Sequence, residues 1–315
     1  MKGSSWMTRL IGRALLLAIA ALGFASTARA APCTLGCLTP GDYNFVTISG
    51  GLPRTYLVHV PASYSGGEAV PLVLDLHGFS SSADEERRVS GQLQQSDKRG
   101  FIAVWPQGLA LSWNGYGCCF VADVAKADDV GFLRSLIGLA KAHANIDSDR
   151  VFVTGISNGG SMAMRMACES ADIVRAVVSV SFPLNTDQCH PSRPISVTEI
   201  AGTADTTISY YGGPPLLPGL PGDIAGIPFG KQSAADSLAA WKAIDNCSAN
   251  IVRTPLPGDS YADVYPVCTG GTNVGLVTIP GGKHVLYNGY TGVGYDGNNA
   301  PFDLSEYIWN NVFNL

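Results

Sequence analysis

The sequence predicts an α/β fold in which a mostly parallel central sheet carries helices on both faces. Three features lead there. Six short runs, "PLVLDLHG", "FIAVWPQ", "VFVTGIS", "VRAVVSVSF", "ISVTEIAG" and "VGLVTIP", are almost continuously apolar, as strands covered on both faces must be. Stretches with helix-like spacing, residues 83–99, 129–144, 160–170 and 231–246, lie between them. Strands and helices that alternate in this way assemble into a parallel sheet through right-handed crossovers.

The elements follow in chain order. Lys2, Arg9 and Arg13 precede an apolar run from Ala14 to Phe24 and then Ala28-Arg29-Ala30, so residues 1–30 read as a secretory signal peptide cleaved after Ala30. That run is shorter than the ~20 residues that span a bilayer, so no membrane anchor is expected. Residues 31–315 read as a single catalytic domain, because no interior linker, charge run or repeat divides them. Within residues 43–60, "YNFVTI" and "TYLVHV" flank the turn signal "SGGLPR" and predict an opening hairpin. The six apolar strands and their helices follow, and "PFDLSEYIWNNVFNL" closes the chain as a terminal helix.

Charge and cysteine content narrow the function. Residues 1–30 hold four of the 20 Lys plus Arg and none of the 25 Asp plus Glu; 16 against 25 leaves the remainder a net charge of −9. Such a surface excludes a nucleic-acid partner. Eight cysteines, an even number, in an exported chain imply disulfides, with Cys247–Cys268 closing a loop after a helix and Cys168–Cys189 the next pairing. No C-x-x-C pair occurs and the histidines do not cluster with the cysteines, so no metal is expected. The expected protein is a secreted monomer, extracellular or periplasmic.

The chemistry turns on "VFVTGISNGG", where Ser157 sits between Gly155 and Gly159 in the pattern G-x-S-x-G. A strand of residues 151–156 gives way there to a helix beginning near Gly159, the strand-turn-helix setting of a nucleophile elbow. A serine hydroxyl needs a neutral imidazole to take its proton, and that imidazole needs a carboxylate to fix its tautomer. In sheets of this kind the order is serine, acid, histidine. His284, in "PGGKHVLYNG" after the last apolar strand, is the expected base; His190 precedes the next strand and any suitable acid. Asp205 follows the strand "ISVTEIAG" and is the expected acid, although Asp in such a position also serves turns. Asp236 and Asp245 fall in the following helix, where they should face solvent. His59 reads as a sheet residue and His143 as a helix-surface one.

An oxyanion needs preorganised N–H donors. The expected pair is the backbone N–H of Asn158 and that of Phe79 in "LHGFSS", where Gly78 allows a sharp turn and His77 braces the loop. Trp113 and Tyr116, beside Cys118 and Cys119, read as a substrate wall, although Trp113 suits a core position equally. The loop "YYGGPPLLPGLPGDIAGIPFG", with eleven Gly or Pro among 21 residues, reads as a lid or pocket wall.

Together these residues resemble the secreted α/β-hydrolase esterases grouped as polyhydroxybutyrate depolymerase and feruloyl esterase-like proteins. The resemblance runs from about Tyr56 to Trp309 through "LHGFSSSA", "WNGYGCC" with "DDVGFLRSLI", "GISNGGSMAMRMACE", "AGTADTTISYYGG" and "GGKH". It implies an α/β-hydrolase fold, Ser157, Asp205 and His284 in the roles given above, no cofactor, and a small-molecule or oligomeric ester as partner. Short hydroxyacyl or polyhydroxyalkanoate oligomer esters and feruloyl or aryl esters are the substrates it implies. Two positions depart from the family pattern: Ala201 stands where a histidine usually precedes Gly-Thr-x-Asp, and Val285 and Leu286 where a tryptophan is common. Two alternatives remain open, namely acyl transfer to an alcohol, as in mycolyltransferase-like members of the fold, and a catalytically inactive exported binding protein.

Overall fold

The computed structural model describes residues 36–116, 118–119, 121–184, 189–213, 232–287 and 302–313. The segment read as a signal peptide and most of the Gly- and Pro-rich loop after Asp205 lie outside the described residues. Gly41–Ser49 (β1) and Leu52–Val60 (β2) pair antiparallel around Gly50 and Gly51, at φ 58° and 77°. Two adjacent glycines in the left-handed region suffice to reverse the chain, so the turn is tighter than the stretch "SGGLPR" read as one.

All six apolar runs form strands. They are Val70–Leu76 (β3), Ile102–Pro106 (β4), Ile146–Ile156 (β5), Ala176–Val180 (β6), Ser196–Gly202 (β7) and, after Val252–Pro255 (β8) and Tyr261–Tyr265 (β9), Val274–Ile279 (β10). The sheet order is β1-β2-β4-β3-β5-β6-β7-β10-β9-β8. The stretch from β4 to β10 is parallel throughout, and an antiparallel pair flanks it on each side.

The helices are Ala83–Val89 (α1), Gln92–Arg99 (α2), Val121–Val124 (α3), Asp129–His143 (α4), Asn158–Ser170 (α5), Ala234–Ile244 (α6) and Leu304–Ile308 (α7). The single helix expected over 83–99 is two, because Gly91 at φ 79° ends the first. The helix expected from 231 begins at Ala234, where Ser233 and Asp236 form a reciprocal capping box.

Alternation along the strands sorts the core into two layers. Leu72, Leu74 and Leu76 pack with Phe132, Leu133 and Leu136 of α4 and with Met162 and Met166 of α5. Val73, Trp105 and Phe152 pack with Trp309 and Phe313, beyond α7. Each such side chain contributes roughly 1.5–3 kcal/mol on burial, so the parallel strands are clamped from both sides. Their carboxyl-end loops therefore start from a fixed frame.

Candidate active site

β5 passes into α5 through Ser157, at φ 55° and ψ −119°. That backbone conformation costs about 1–3 kcal/mol for a residue with a Cβ, so the surroundings must impose it. Ser157 N–H donates to Val180 O at 2.8 Å, and Ser161 N–H donates to Ser157 O at 2.9 Å. The flanking glycines answer to space: a Cβ on Gly155 would stand 2.6 Å from the carbonyl of Gly159, and one on Gly159 would strike the carbonyls of Leu76 and His77. The two glycines let the elbow close onto the end of β3.

Further backbone bonds lace the carboxyl ends of the neighbouring strands together. Ser181 N–H donates to Ile200 O (2.8 Å), Thr203 N–H to Ile279 O (3.0 Å) and Ala204 N–H to Gly282 O (2.9 Å). The loops after β5, β6, β7 and β10 thus share one sheet edge, where function concentrates in such sheets.

Asp205 and His284 meet on that edge, Nδ1 to Oδ2 at 2.7 Å. The carboxylate can only accept, so Nδ1 carries the proton and Nε2 of the neutral ring keeps its lone pair. Asp205 Oδ1 accepts the N–H groups of Thr207 and Ile208, both at 2.8 Å. Its two oxygens divide the work: one shapes a turn and the other orients the imidazole. The aspartate side chain is 2% exposed and the histidine 19%, so the ring alone reaches outward. Tyr287, fully buried, donates its hydroxyl to Lys283 O and pins the loop from inside. Thr207, Ile208 and Tyr287 carry no catalytic motif of their own; for the first two, an Asp followed two and three residues later by backbone N–H donors is the signal in the sequence.

Asn158 is the first residue of α5, so its N–H has no partner within the helix. Its side chain is buried and ties the preceding loop down, accepting from Trp113 N–H (2.7 Å) and donating to Trp113 O (2.9 Å). Gly78 lies against the elbow, where an added Cβ would be 3.7 Å from Ser157 Cβ, and this brings the Phe79 segment beside the serine.

Two expected substrate-wall residues lie elsewhere. Trp113 is 0% exposed, packs in the core and satisfies its indole N–H on His77 O at 3.0 Å. An indole N–H buried without a partner would be costly, and this bond fixes the ring inward. Tyr116 belongs to the same core and lies under Arg165, 5.3 Å from guanidinium to ring. Both side chains are buried, and Trp113 ties His77 to the loop held by Asn158.

The remaining candidates separate clearly. His77 is buried and binds backbone through both nitrogens. His59 bridges Asp42 and Asp97, His143 binds Gly36 O at the end of α4, and His190 is exposed. Asp236 caps α6 at the surface. Asp245 does not face solvent as expected: it is fully buried, accepting from Ile195 N–H and the Thr272 hydroxyl before β7 begins, and burial pushes its pKa up to about 6. It sits at the opposite end of the sheet from Ser157. The structure also has disulfides Cys168–Cys189, Cys247–Cys268 and Cys118–Cys119. Among the described residues no cluster of His, Cys, Asp and Glu side chains could hold a metal ion, and no helix is long and apolar enough to cross a membrane.

Residues 49–256 match the model of the Esterase family, described as "Putative esterase". Feruloyl esterase B of Piromyces equi is 29% identical over 76% of this chain and 44% of its own length. Feruloyl esterase D of Neurospora crassa is 26% identical over 62% of this chain and 68% of its own. The chain therefore spans less than half of the Piromyces protein. Among solved structures, an acetyl xylan esterase from Aspergillus awamori superposes with a TM-score of 0.51 at 13% identity, over 78% of this chain and 94% of that one. That likeness shows the fold to be the α/β-hydrolase architecture.

Proposed function

The chain belongs to this Esterase family, and from that premise we propose that it is a secreted serine carboxylic-ester hydrolase working through Ser157, His284 and Asp205. The observation that carries the reading is the Asp205–His284 hydrogen bond on the edge where the Ser157 elbow opens. In this reading His284 Nε2 takes the Ser157 proton as Oγ attacks the ester carbonyl. The developing oxyanion is held by the N–H groups of Asn158 and Phe79, each worth about 3 kcal/mol in the transition state. The alcohol leaves with the proton from His284, and water, deprotonated in turn by His284, releases the acid from the acyl-enzyme.

The substrates proposed are small or oligomeric esters, with feruloyl and acetyl esters first because proteins similar in sequence carry those names. Disulfides suit an oxidising compartment and support export. A panel of feruloyl, acetyl and 3-hydroxybutyryl esters, with and without a chelator and an added alcohol, tests all of this. Hydrolysis of at least one ester without metal, with free acid as main product and Ser157 labelled by an organophosphonate, is the expected result. Ester as main product would make the protein an acyltransferase, and failure of both turnover and labelling would leave a binding protein.

A further inference from the structure

Three loops of the candidate site converge on one covalent feature that the hydrolytic reading does not use. Cys118 and Cys119, neighbours in sequence, are bonded to each other and buried. They form a small apolar cluster with Phe182 and Ile208, separate from the two main core layers. Asn158 Nδ2 approaches Cys118 Sγ at 3.7 Å, and Cys119 N–H donates to Trp113 O at 3.3 Å, the carbonyl that Asn158 also binds. Phe182 follows β6, and the N–H of Ile208 is one of the two that hold Asp205 Oδ1. The disulfide thus touches the segment after the nucleophile on one side and the acid turn on the other.

Connectivity says what such a bond can do. A disulfide stabilises a fold chiefly by closing a loop in the unfolded chain, and the gain grows with loop length. Cys168–Cys189 and Cys247–Cys268 each join residues 21 apart, whereas Cys118–Cys119 joins residues one apart and closes almost nothing. What it removes is the side-chain rotation of two adjacent residues. The result is a fixed apolar plate where the loops after β5, β6 and β7 meet.

We propose that the Cys118–Cys119 disulfide is a positioning element that holds the Asn158 N–H and the Asp205 turn in catalytic register. The proposal rests on the Ser157–Asp205–His284 reading. Without the bond the plate becomes two mobile side chains, and the oxyanion donor and the carboxylate lose a common reference. The effect should fall on the transition state, in kcat, and leave ground-state ester binding in place.

The test compares wild type with Cys118→Ala/Cys119→Ala and Cys247→Ala/Cys268→Ala. Ser157→Ala run on the same ester settles the underlying reading first: if that variant stays active, the triad is wrong whatever the cysteines do. With the triad standing, Cys118→Ala/Cys119→Ala is expected to lose about tenfold or more in kcat with KM changed by less than about threefold, since a displaced oxyanion donor costs turnover. Its melting temperature should fall less than that of Cys247→Ala/Cys268→Ala, whose kcat, measured below its transition, should match wild type. Alkylation of the unreduced protein followed by peptide mapping should find Cys118 and Cys119 protected. Free thiols at both positions, a kcat within about threefold of wild type, a loss carried by KM, or a variant that fails to fold would each overturn the assignment.

Discussion

Two histidines stand at the carboxyl ends of parallel strands on one sheet edge, His77 after β3 and His284 after β10, and their surroundings give them opposite capabilities. His77 is sealed in. Its Nδ1 donates to Gly78 O at 2.7 Å, and its Nε2 accepts the N–H of Gly108 at 3.0 Å. Burial pushes its pKa down to about 4, against the pull of the Gly78 carbonyl and with help from the Arg54 charge. His284 has a carboxylate on one nitrogen and an outward-facing ring. A group that must exchange protons needs one nitrogen oriented and the other left for the reacting partner, and His77 has neither nitrogen to spare. Position on that edge is therefore insufficient; the partners on each nitrogen make His77 a brace and suit His284 to the base role proposed above.

The sharpest way to break this contrast is to remove each ring in turn. On the proposed triad, His284→Ala and Ser157→Ala are each expected to lower kcat on the order of 10⁶ while leaving the melting temperature near wild type, because members of a triad act as a unit. His77→Ala should do the reverse, losing about 1–3 kcal/mol of stability by stranding the Gly108 N–H, with the folded fraction still turning over. Steady-state kinetics with thermal melts on the three variants decide it. If His77→Ala is the one that kills turnover in a folded protein, the roles have been exchanged.

A smaller effect sharpens the comparison. Asp205→Asn keeps the shape of the turn but offers His284 an amide, which can present its NH₂ and trap the wrong tautomer. A loss of about 10⁴ in kcat is expected, with KM little changed. Asp245→Asn, at the far end of the sheet, should leave kcat within about twofold. Equal losses in the two would show that buried carboxylates here act through stability alone.

How much of this was legible in the sequence depended on which forces leave local marks. The six parallel strands did, since burial on both faces leaves no polar position to alternate. The elbow did too, because the steric conflict at Gly155 and Gly159 allows few residues. β8 and β9 did not: "VRTP" is the wholly exposed edge strand, which needs no apolar run, and "YADVY" between it and β10 is only part-buried and carries an aspartate. Trp113 stays open between wall and core on sequence, because an aromatic near the elbow serine suits both equally, and only the His77 carbonyl that accepts its N–H decides for the core. Asp245 was misread for the same kind of reason. Its partners, Ile195 and Thr272, lie 50 and 27 residues away, and no local pattern announces them.

The smallest expected effect concerns the proton on His77. Its folded-state pKa of about 4 lies below the ordinary 6.5, so between those values the unfolded chain binds a proton that the folded protein refuses. The neutral ring therefore contributes stability that is fully present above about 6.5 and is lost as pH falls through about 4. Asp75 and Glu199, pushed by burial up to about 7 and about 8, act in the opposite sense, their contribution being lost as pH rises through those values. A single pH–stability curve mixes these, so the measurement is a difference. His77→Gln keeps an amide that can accept from Gly108 and donate to Gly78 but carries no titrating proton. Urea midpoints of wild type and His77→Gln taken from pH 7 to pH 4 should diverge, with wild type falling more steeply by on the order of 1–3 kcal/mol over the window. Parallel curves would mean that His77 is solvated well enough to take its proton in place, and the division between a sealed brace and an outward base would fail at its first member.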